Sequence, residues 1–253
     1  MYFNQLHPKL ARLISVISLC SMSAMPYQAI AAESNDIAAI TNKLKGLKPP
    51  IEVRNIKPSV IPGMYEVFAD GNMYYVDKEA KYVFSGTLYE AETKKNLTQA
   101  SKQALTSIKF DSLPFKDAIE VKKGTGAYKF VAFSDPDCPF CKNVEQGLDE
   151  AQVTDYTAYI FLFPIKELHP EATKISENIW CSKNQQEAWL NYMVKSTSPE
   201  NATCANPIER NIKLADKLGV GGTPTFYLND GTQTQDPKEL FQAITGKKLQ
   251  IVR

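Results

Sequence analysis

Cys138-Pro139-Phe140-Cys141 constrains this chain more than any other stretch. An apolar run, Tyr128 to Ser134, precedes it, followed by a short acidic loop, Asp135-Pro136-Asp137. A helical pattern, Lys142 to Leu148, follows it. The order strand, loop, Cys-x-x-Cys, helix suits a dithiol redox centre. Proline is at home in the first turn of a helix, where its missing N–H is not needed. A cysteine at the helix start lies at the positive end of the macrodipole, which favours thiolate over thiol. The second cysteine, three residues on, returns to the same face, and Cα atoms at that spacing are roughly 5–6 Å apart, within reach of a disulfide. One sulfur is then expected to be exposed and nucleophilic, with the other behind it to resolve a mixed disulfide. The alternatives are two inert buried thiols or half of a zinc site. A zinc ribbon would want a second Cys-x-x-Cys, and the remaining cysteines supply none. Beyond the leader described next, His169 is the one histidine, which leaves little for Cys/His ligand sets or a Cys–His nucleophile pair.

Residues 1–31 contain no Asp or Glu. Lys9 and Arg12 precede an apolar run from Leu13 to Met25, and Ala29-Ile30-Ala31 fits a small-x-small cleavage site. This reads as a secretory signal peptide cut after Ala31, in a run short for a bilayer span. Its removal leaves Cys138, Cys141, Cys181 and Cys204, and an even count in an exported chain points to an oxidising compartment. It also leaves 27 basic against 28 acidic residues, a formal net charge of −1, with no basic patch to suggest nucleic acid.

Ile37, Ile40, Leu44 and Leu47 give helical spacing over 32–48, stopped by Pro49-Pro50. A strand-rich stretch follows: Ile51–Ile56, then Met64–Phe68 and Met73–Val76 around Ala69-Asp70-Gly71-Asn72, where Asp-Gly is a hairpin signal. Tyr82–Phe84 and Thr87–Tyr89 are read as further strand. Tyr65, Phe68, Tyr74, Tyr75, Tyr82, Phe84 and Tyr89 are too many aromatics for one small interior. Some are expected to line a partner surface, or the sheet to pair at an edge with another chain; packing on the rest of its own chain is the alternative. Leu97–Ile108 reads as a connecting helix, and Phe110–Ile119 as a lead into the second domain.

From there the pattern predicts strand 128–134, helix 138–149, strand 157–163, a long helical insertion 172–195, helix 207–218, strands 225–228 and about 232–235, and helix 237–245. Strands alternating with helices argue for an α/β layer, and Cys-x-x-Cys in its first βα turn reads as thioredoxin-like. The expected fold is α+β and α/β. After the signal peptide (1–31) come a small strand-rich domain (32–95), a linker helix (96–112), and a thioredoxin-like domain with a helical insertion (113–253). Gly221-Gly222-Thr223-Pro224 lies about 80 residues beyond the dithiol. A cis Thr223-Pro224 bond would turn the backbone N–H and C=O of Thr223 outward, to pair with an extended client strand.

With these motifs in order, and with Ile179-Trp180-Cys181 and Leu218 to Pro224, the chain resembles the periplasmic disulfide isomerases of Gram-negative bacteria, the DsbC/DsbG family. The resemblance covers the whole mature chain. It implies a V-shaped homodimer joined through the N-terminal domains, with misfolded disulfide-containing exported proteins held in the cleft. It implies Cys138 as nucleophile, Cys141 as resolving thiol, Thr223-Pro224 as the client-binding loop, Pro139 and Phe140 as the redox-tuning pair, and Cys181–Cys204 as a structural disulfide. It implies the periplasm, a membrane thiol reductase of the DsbD type as electron donor, and no cofactor or metal. Pro139-Phe140 departs from the Gly-Tyr usual in DsbC and the Pro-Tyr of DsbG, whereas Thr223 favours either over the oxidase DsbA. Phe140 has no side-chain donor to offer a thiolate, and Asp137 should oppose one, so a moderate oxidant is expected. The leading expectation is a disulfide isomerase/reductase with chaperone activity. Its rivals are a DsbG-like reductase of oxidised single thiols, a dithiol oxidase, and a protein that is mainly a chaperone.

Overall fold

The computed structural model describes residues 27–246, with side chains from Ser34 onward. The expected leader lies outside the described residues except for its last five positions, whose backbone is helical. The front unit is a helix, α1 (Tyr27–Lys45), against an antiparallel sheet of β1 (Val53–Pro58), β2 (Met64–Ala69), β3 (Asn72–Asp77) and β4 (Val83–Ser85), in that spatial order. Asp70 and Gly71 join β2 to β3 with φ of 50° and 73°, the double left-handed turn that Asp-Gly favours. Ile40 and Leu44 of α1 meet Tyr65, Val67, Ala69 and Val76 on one face of the sheet. Full burial of each large aliphatic side chain contributes roughly 1.5–3 kcal/mol.

The other face of β2 and β3 is also covered, which divides the aromatics. Phe68 packs beside Gly219 of the back unit, and the Tyr75 hydroxyl lies 2.5 Å from that of Thr98. Tyr82, Phe84 and Tyr89 stay exposed, at 65%, 55% and 58%. Phe68 thus packs on the chain's own second unit, and the rings on the β4 side are left exposed at a sheet edge. Thr87–Tyr89 is not a strand. It makes a bridge between Tyr89 and Asn96, accepts from the Leu97 N–H at the Leu88 carbonyl, and donates from the Leu88 N–H to the Thr98 hydroxyl.

The linker helix α2 (Leu97–Thr106) is capped by Asn96, whose side chain accepts from the Gln99 N–H at 2.9 Å. It ends two residues earlier than the periodicity suggests, because the Ile108 N–H bonds to the Gly231 carbonyl across the fold. Two 3-10 turns, Phe110–Ser112 and Phe115–Asp117, lead into β5 (Ile119–Lys123). The lead-in expected over Phe110–Ile119 thus ends where a strand begins, in which buried Ile119 and Val121 alternate with exposed Glu120 and Lys122.

β5 is an edge of a five-stranded sheet ordered β5-β7-β6-β8-β9, with β6 (Tyr128–Ser134), β7 (Tyr156–Leu162), β8 (Thr225–Tyr227) and β9 (Gln233–Thr234). β6 and β7 are parallel and the other pairs antiparallel. Helix α3 (Pro139–Glu150) follows β6, and α4 (Ala172–Trp180), α5 (Gln185–Lys195) and α6 (Ile208–Leu218) separate β7 from β8. Helix α7 (Pro237–Thr245) follows β9. The long insertion is thus two helices. Asn184 starts the second, accepting from the Glu187 N–H at 3.1 Å. Phe130 and Ala132 of β6 face a core with Val144, Leu148, Trp189 and Leu240, while Val131 and Phe133 face Phe161, Ala215 and Tyr227. Burial on both faces explains why β6 reads as an unbroken apolar run.

Candidate active site

The last residue of β6, Ser134, leads into a loop folded around a fully buried carboxylate, that of Asp135. It accepts from the Asp137 N–H (2.8 Å), the Ile165 N–H (2.7 Å) and Nδ1 of His169 (2.9 Å). The Cys138 N–H bonds to the Asp135 carbonyl at 3.2 Å, closing the turn that hands the chain to α3. Cys138 is the N-cap of that helix and Pro139 its first residue. Cys141 then falls in the first turn, behind Cys138.

The two thiols are free and differ sharply in character. Cys138 is pulled down to about 5, first by a hydrogen bond from the Cys141 thiol, against the opposing effect of burial. The Thr223 side chain and the backbone N–H groups of Cys141 and Phe140 lower it further. Cys141 is pushed well above the ordinary thiol range, first by burial and then by its bond to Cys138. One thiol is thus an anion at neutral pH and the other holds its proton.

One expectation needs correction, and two acquire a structural context. Cys138 is not an exposed sulfur: the residue is 4% exposed and Cys141 1%. The Thr223 carbonyl lies 3.4 Å from Cys138 Sγ and helps to cover it. The Phe140 side chain offers the thiolate no donor, as expected, while its backbone N–H supports it. The Asp137 charge is also not aimed at the sulfur unopposed. Its carboxylate accepts from the Tyr192 hydroxyl at 2.5 Å and lies 3.7 Å from Lys142 Nζ.

Thr223-Pro224 is a cis peptide, and it stands against the dithiol as the motif spacing suggests. Of the two preceding glycines, Gly221 is sterically required. A Cβ on Gly221 would lie 2.3 Å from the Asp70 carbonyl oxygen, because the β2–β3 hairpin tip abuts this loop. An apolar groove of about 430 Å³ runs beside the site, lined by Phe140, Val144, Thr223, Pro224, Pro237 and Phe241. The Phe140 ring stands 70% exposed at its rim.

The predicted site residues therefore separate into two places. Cys138, Pro139, Phe140, Cys141, Thr223 and Pro224 converge on one surface. Cys181 and Cys204 form a disulfide between the end of α4 and the approach to α6, with Cα atoms 5.6 Å apart. The loop it closes, 23 residues apart in sequence, corresponds to roughly 3 kcal/mol in the chain-entropy account. Among the described residues no cluster of His, Cys, Asp and Glu is arranged to hold a metal. Also among them, no helix is long and apolar enough to cross a membrane.

Sequence reasoning missed Asp135, His169 and Glu145. The last lies on α3 one turn beyond Cys141, buried, and accepts from Trp189 Nε1 at 3.0 Å. Burial pushes its carboxyl up to about 7, against the Trp189 N–H and the Lys123 charge. A folded-state value above the unfolded one means that the folded protein binds the extra proton. Stability from this group is therefore present at low pH and lost as pH rises through about 7. Glu145→Gln keeps the acceptor for Trp189 and never ionises. It is expected to be more stable than the parent at pH 8 by on the order of 1–3 kcal/mol and nearly equal at pH 4.5. Thermal unfolding at the two pH values checks this.

Residues 31–99 match a family described as the disulfide bond isomerase protein N-terminal domain, and residues 115–245 match the thioredoxin-like domain. A probable thiol:disulfide interchange protein DsbC of Bordetella avium is 33% identical over 186 residues, covering 72% of this chain and 66% of that protein. For the Bordetella pertussis relative the share of its length is 59%, at 31% identity. The thiol:disulfide interchange protein DsbC of Escherichia coli K12 is 28% identical over 209 residues, covering 81% of this chain and 86% of that one. A crystal structure of a disulfide interchange protein from Neisseria gonorrhoeae is similar over 55% of this chain and all of that one, at 32% identity and a TM-score of 0.49.

Proposed function

Since this chain belongs to the DsbC family, with an isomerase-type N-terminal domain ahead of a thioredoxin-like domain, we propose that it is a thiol:disulfide isomerase and reductase of exported proteins in the periplasm. The observation that carries this reading is the split between the two thiols, Cys138 as thiolate and Cys141 as thiol, under the Thr223 carbonyl. The Cys138 thiolate attacks one sulfur of a client disulfide. That S–S bond breaks, the other client sulfur leaves as a thiolate, and a mixed disulfide forms. In isomerisation the freed client thiolate attacks a different sulfur, and Cys138 is eventually released. In reduction Cys141 gives up its proton and attacks the Cys138 sulfur, so the client leaves reduced and Cys138–Cys141 becomes a disulfide. A membrane thiol reductase of the DsbD type would return the electrons. Thr223 pairs with the client backbone, and the groove beside Phe140 takes an apolar client side chain.

The exposed Tyr82, Val83 and Phe84 support dimerisation through the β4 edge. β4 is an outer strand of its sheet, with backbone groups free to pair with a second chain. Two catalytic domains on one dimer would hold a client through successive exchanges. The test is refolding of scrambled ribonuclease. The reduced protein, a dimer by light scattering, is expected to restore activity, and Cys138→Ser to fall to the uncatalysed rate. Equal refolding by Cys138→Ser would leave a chaperone. Oxidation of reduced ribonuclease without repair of the scrambled form would make the protein an oxidase.

A further inference from the structure

The segment between β7 and α4 meets the loop that carries Cys138 at the Asp135 carboxylate, through the Ile165 N–H and the His169 ring. Asp135 is fully buried, and a carboxylate there needs compensation. Two backbone N–H groups supply part of it. Among the described residues, the basic side chain paired with it is His169, an ion pair whenever the ring is protonated. The backbone of His169 is itself held, its N–H bonding to the Ile165 carbonyl (2.9 Å) and its carbonyl accepting from the Ala172 N–H (3.1 Å). Because Asp135 also accepts from the Asp137 N–H, and its carbonyl accepts from the Cys138 N–H, one ring holds the turn that presents the nucleophile.

We infer that His169 is a positioning residue for thiol–disulfide exchange: its hydrogen bond to Asp135 fixes the loop that presents Cys138, and its protonated form supports the Cys138 thiolate. The inference rests on the exchange reading above. The titratable groups that bear on His169 are Asp135, Asp137 and Cys138. Asp137 is shared with Tyr192 and Lys142, so it acts on the imidazole less directly than Asp135. The hydrogen bond to Asp135, then the charges of Asp135, Cys138 and Asp137, raise His169 above its ordinary 6.5, against burial. Cys138 is therefore already a thiolate throughout the range in which His169 gives up its proton. The influence runs both ways, so the redox state of the dithiol must shift the titration of His169.

Two measurements test this. The first needs no variant of the active protein: the imidazole of His169 is titrated by NMR in the dithiol and in the disulfide form. His169→Asn assigns the signal, because His7 is the one other histidine in the sequence. A higher midpoint in the dithiol form is expected, and identical midpoints would overturn the inference. The second uses His169→Asn itself, whose amide can donate to Asp135 in place of Nδ1 but carries no charge. Its Cys138 titration, followed by thiolate absorbance, is expected to move up by about half a unit, a threefold change in the thiol–thiolate equilibrium. The equilibrium with glutathione is expected to move threefold toward the Cys138–Cys141 disulfide, about 14 mV at 29.6 mV per tenfold. A variant that melts earlier but keeps the parent thiolate titration and potential would reduce His169 to a structural residue and overturn the inference. Failure of the parent protein to exchange with scrambled ribonuclease strikes the exchange reading instead, and is seen independently of either comparison.

Discussion

Cys141→Ala is expected to convert the protein from a turnover catalyst into a trap. Oxidised clients should accumulate as adducts on Cys138 that run at high mass and vanish on reduction. Cys138 keeps what makes it a nucleophile: the helix start, the Phe140 N–H and Thr223. It loses the hydrogen bond from the Cys141 thiol, the largest single support of its thiolate, so its titration should rise from about 5 while staying below that of an ordinary thiol. Attack on a client disulfide therefore continues. The route out does not, because the sulfur that would attack the mixed disulfide from within the first turn of α3 is gone. Only rearrangement in the client or an external thiol can then release the adduct. Non-reducing gels of cell extracts, with Cys138→Ser/Cys141→Ala as the blank, give the measurement. Adducts that are absent, or that persist in the blank, would show that the roles of the two cysteines are misassigned.

The second large effect is selectivity of alkylation. At pH 6, with Cys138 at about 5, roughly nine-tenths of it is thiolate. Even an unshifted thiol of pKa 9.0 would be about one-thousandth ionised there, and Cys141 lies above that. A low-pKa thiolate is intrinsically a weaker nucleophile, with a Brønsted slope of about 0.4–0.5, which takes back much of the gain. Chemistry alone then leaves Cys138 at least about tenfold faster, and the near-complete burial of Cys141 adds to this. Mass mapping of the reduced protein after brief iodoacetamide treatment is expected to find the label on Cys138 alone, with a rate inflection near pH 5. Equal labelling of Cys141, or an inflection at the ordinary thiol value, would contradict the division of labour between the thiols.

Much of the fold could be read along the chain. The Asp70-Gly71 turn, the unbroken run of β6, and the helices after Cys138 and Pro207 and at Pro237 are all announced by short-range patterns. The misreadings occur where a distant partner overrides such a pattern. Leu97–Ile108 looks helical to its end, but Ile108 gives its N–H to Gly231. The helical insertion 172–195 is helical as read, but its division into two helices, at a turn that carries the cysteine bonded to Cys204, is not marked locally. Thr87–Tyr89 has strand composition, but it pairs with the start of α2, through Asn96, Leu97 and the Thr98 hydroxyl, rather than with a strand.

The candidate site divides in the same way, and for one physical reason. Which residue types can do the chemistry is written locally: two cysteines one helical turn apart, a proline to start the helix, a Thr-Pro loop downstream. Hydrogen-bond geometry, helix periodicity and thiol chemistry act over a few bonds, so a sequence displays them. What sets the two thiols apart is burial and contacts that bridge long stretches of chain: Cys138 with Thr223, Asp135 with His169, Glu145 with Trp189. Desolvation and electrostatics depend on distance in space and on what excludes water, and neither exists until the chain has packed. Sequence alone thus determined that this protein carries a reactive dithiol on a thioredoxin-like framework. Only the tertiary structure decided that Cys138 would be a covered anion, Cys141 a sealed acid, and His169 the partner of the Asp135 carboxylate beneath their loop.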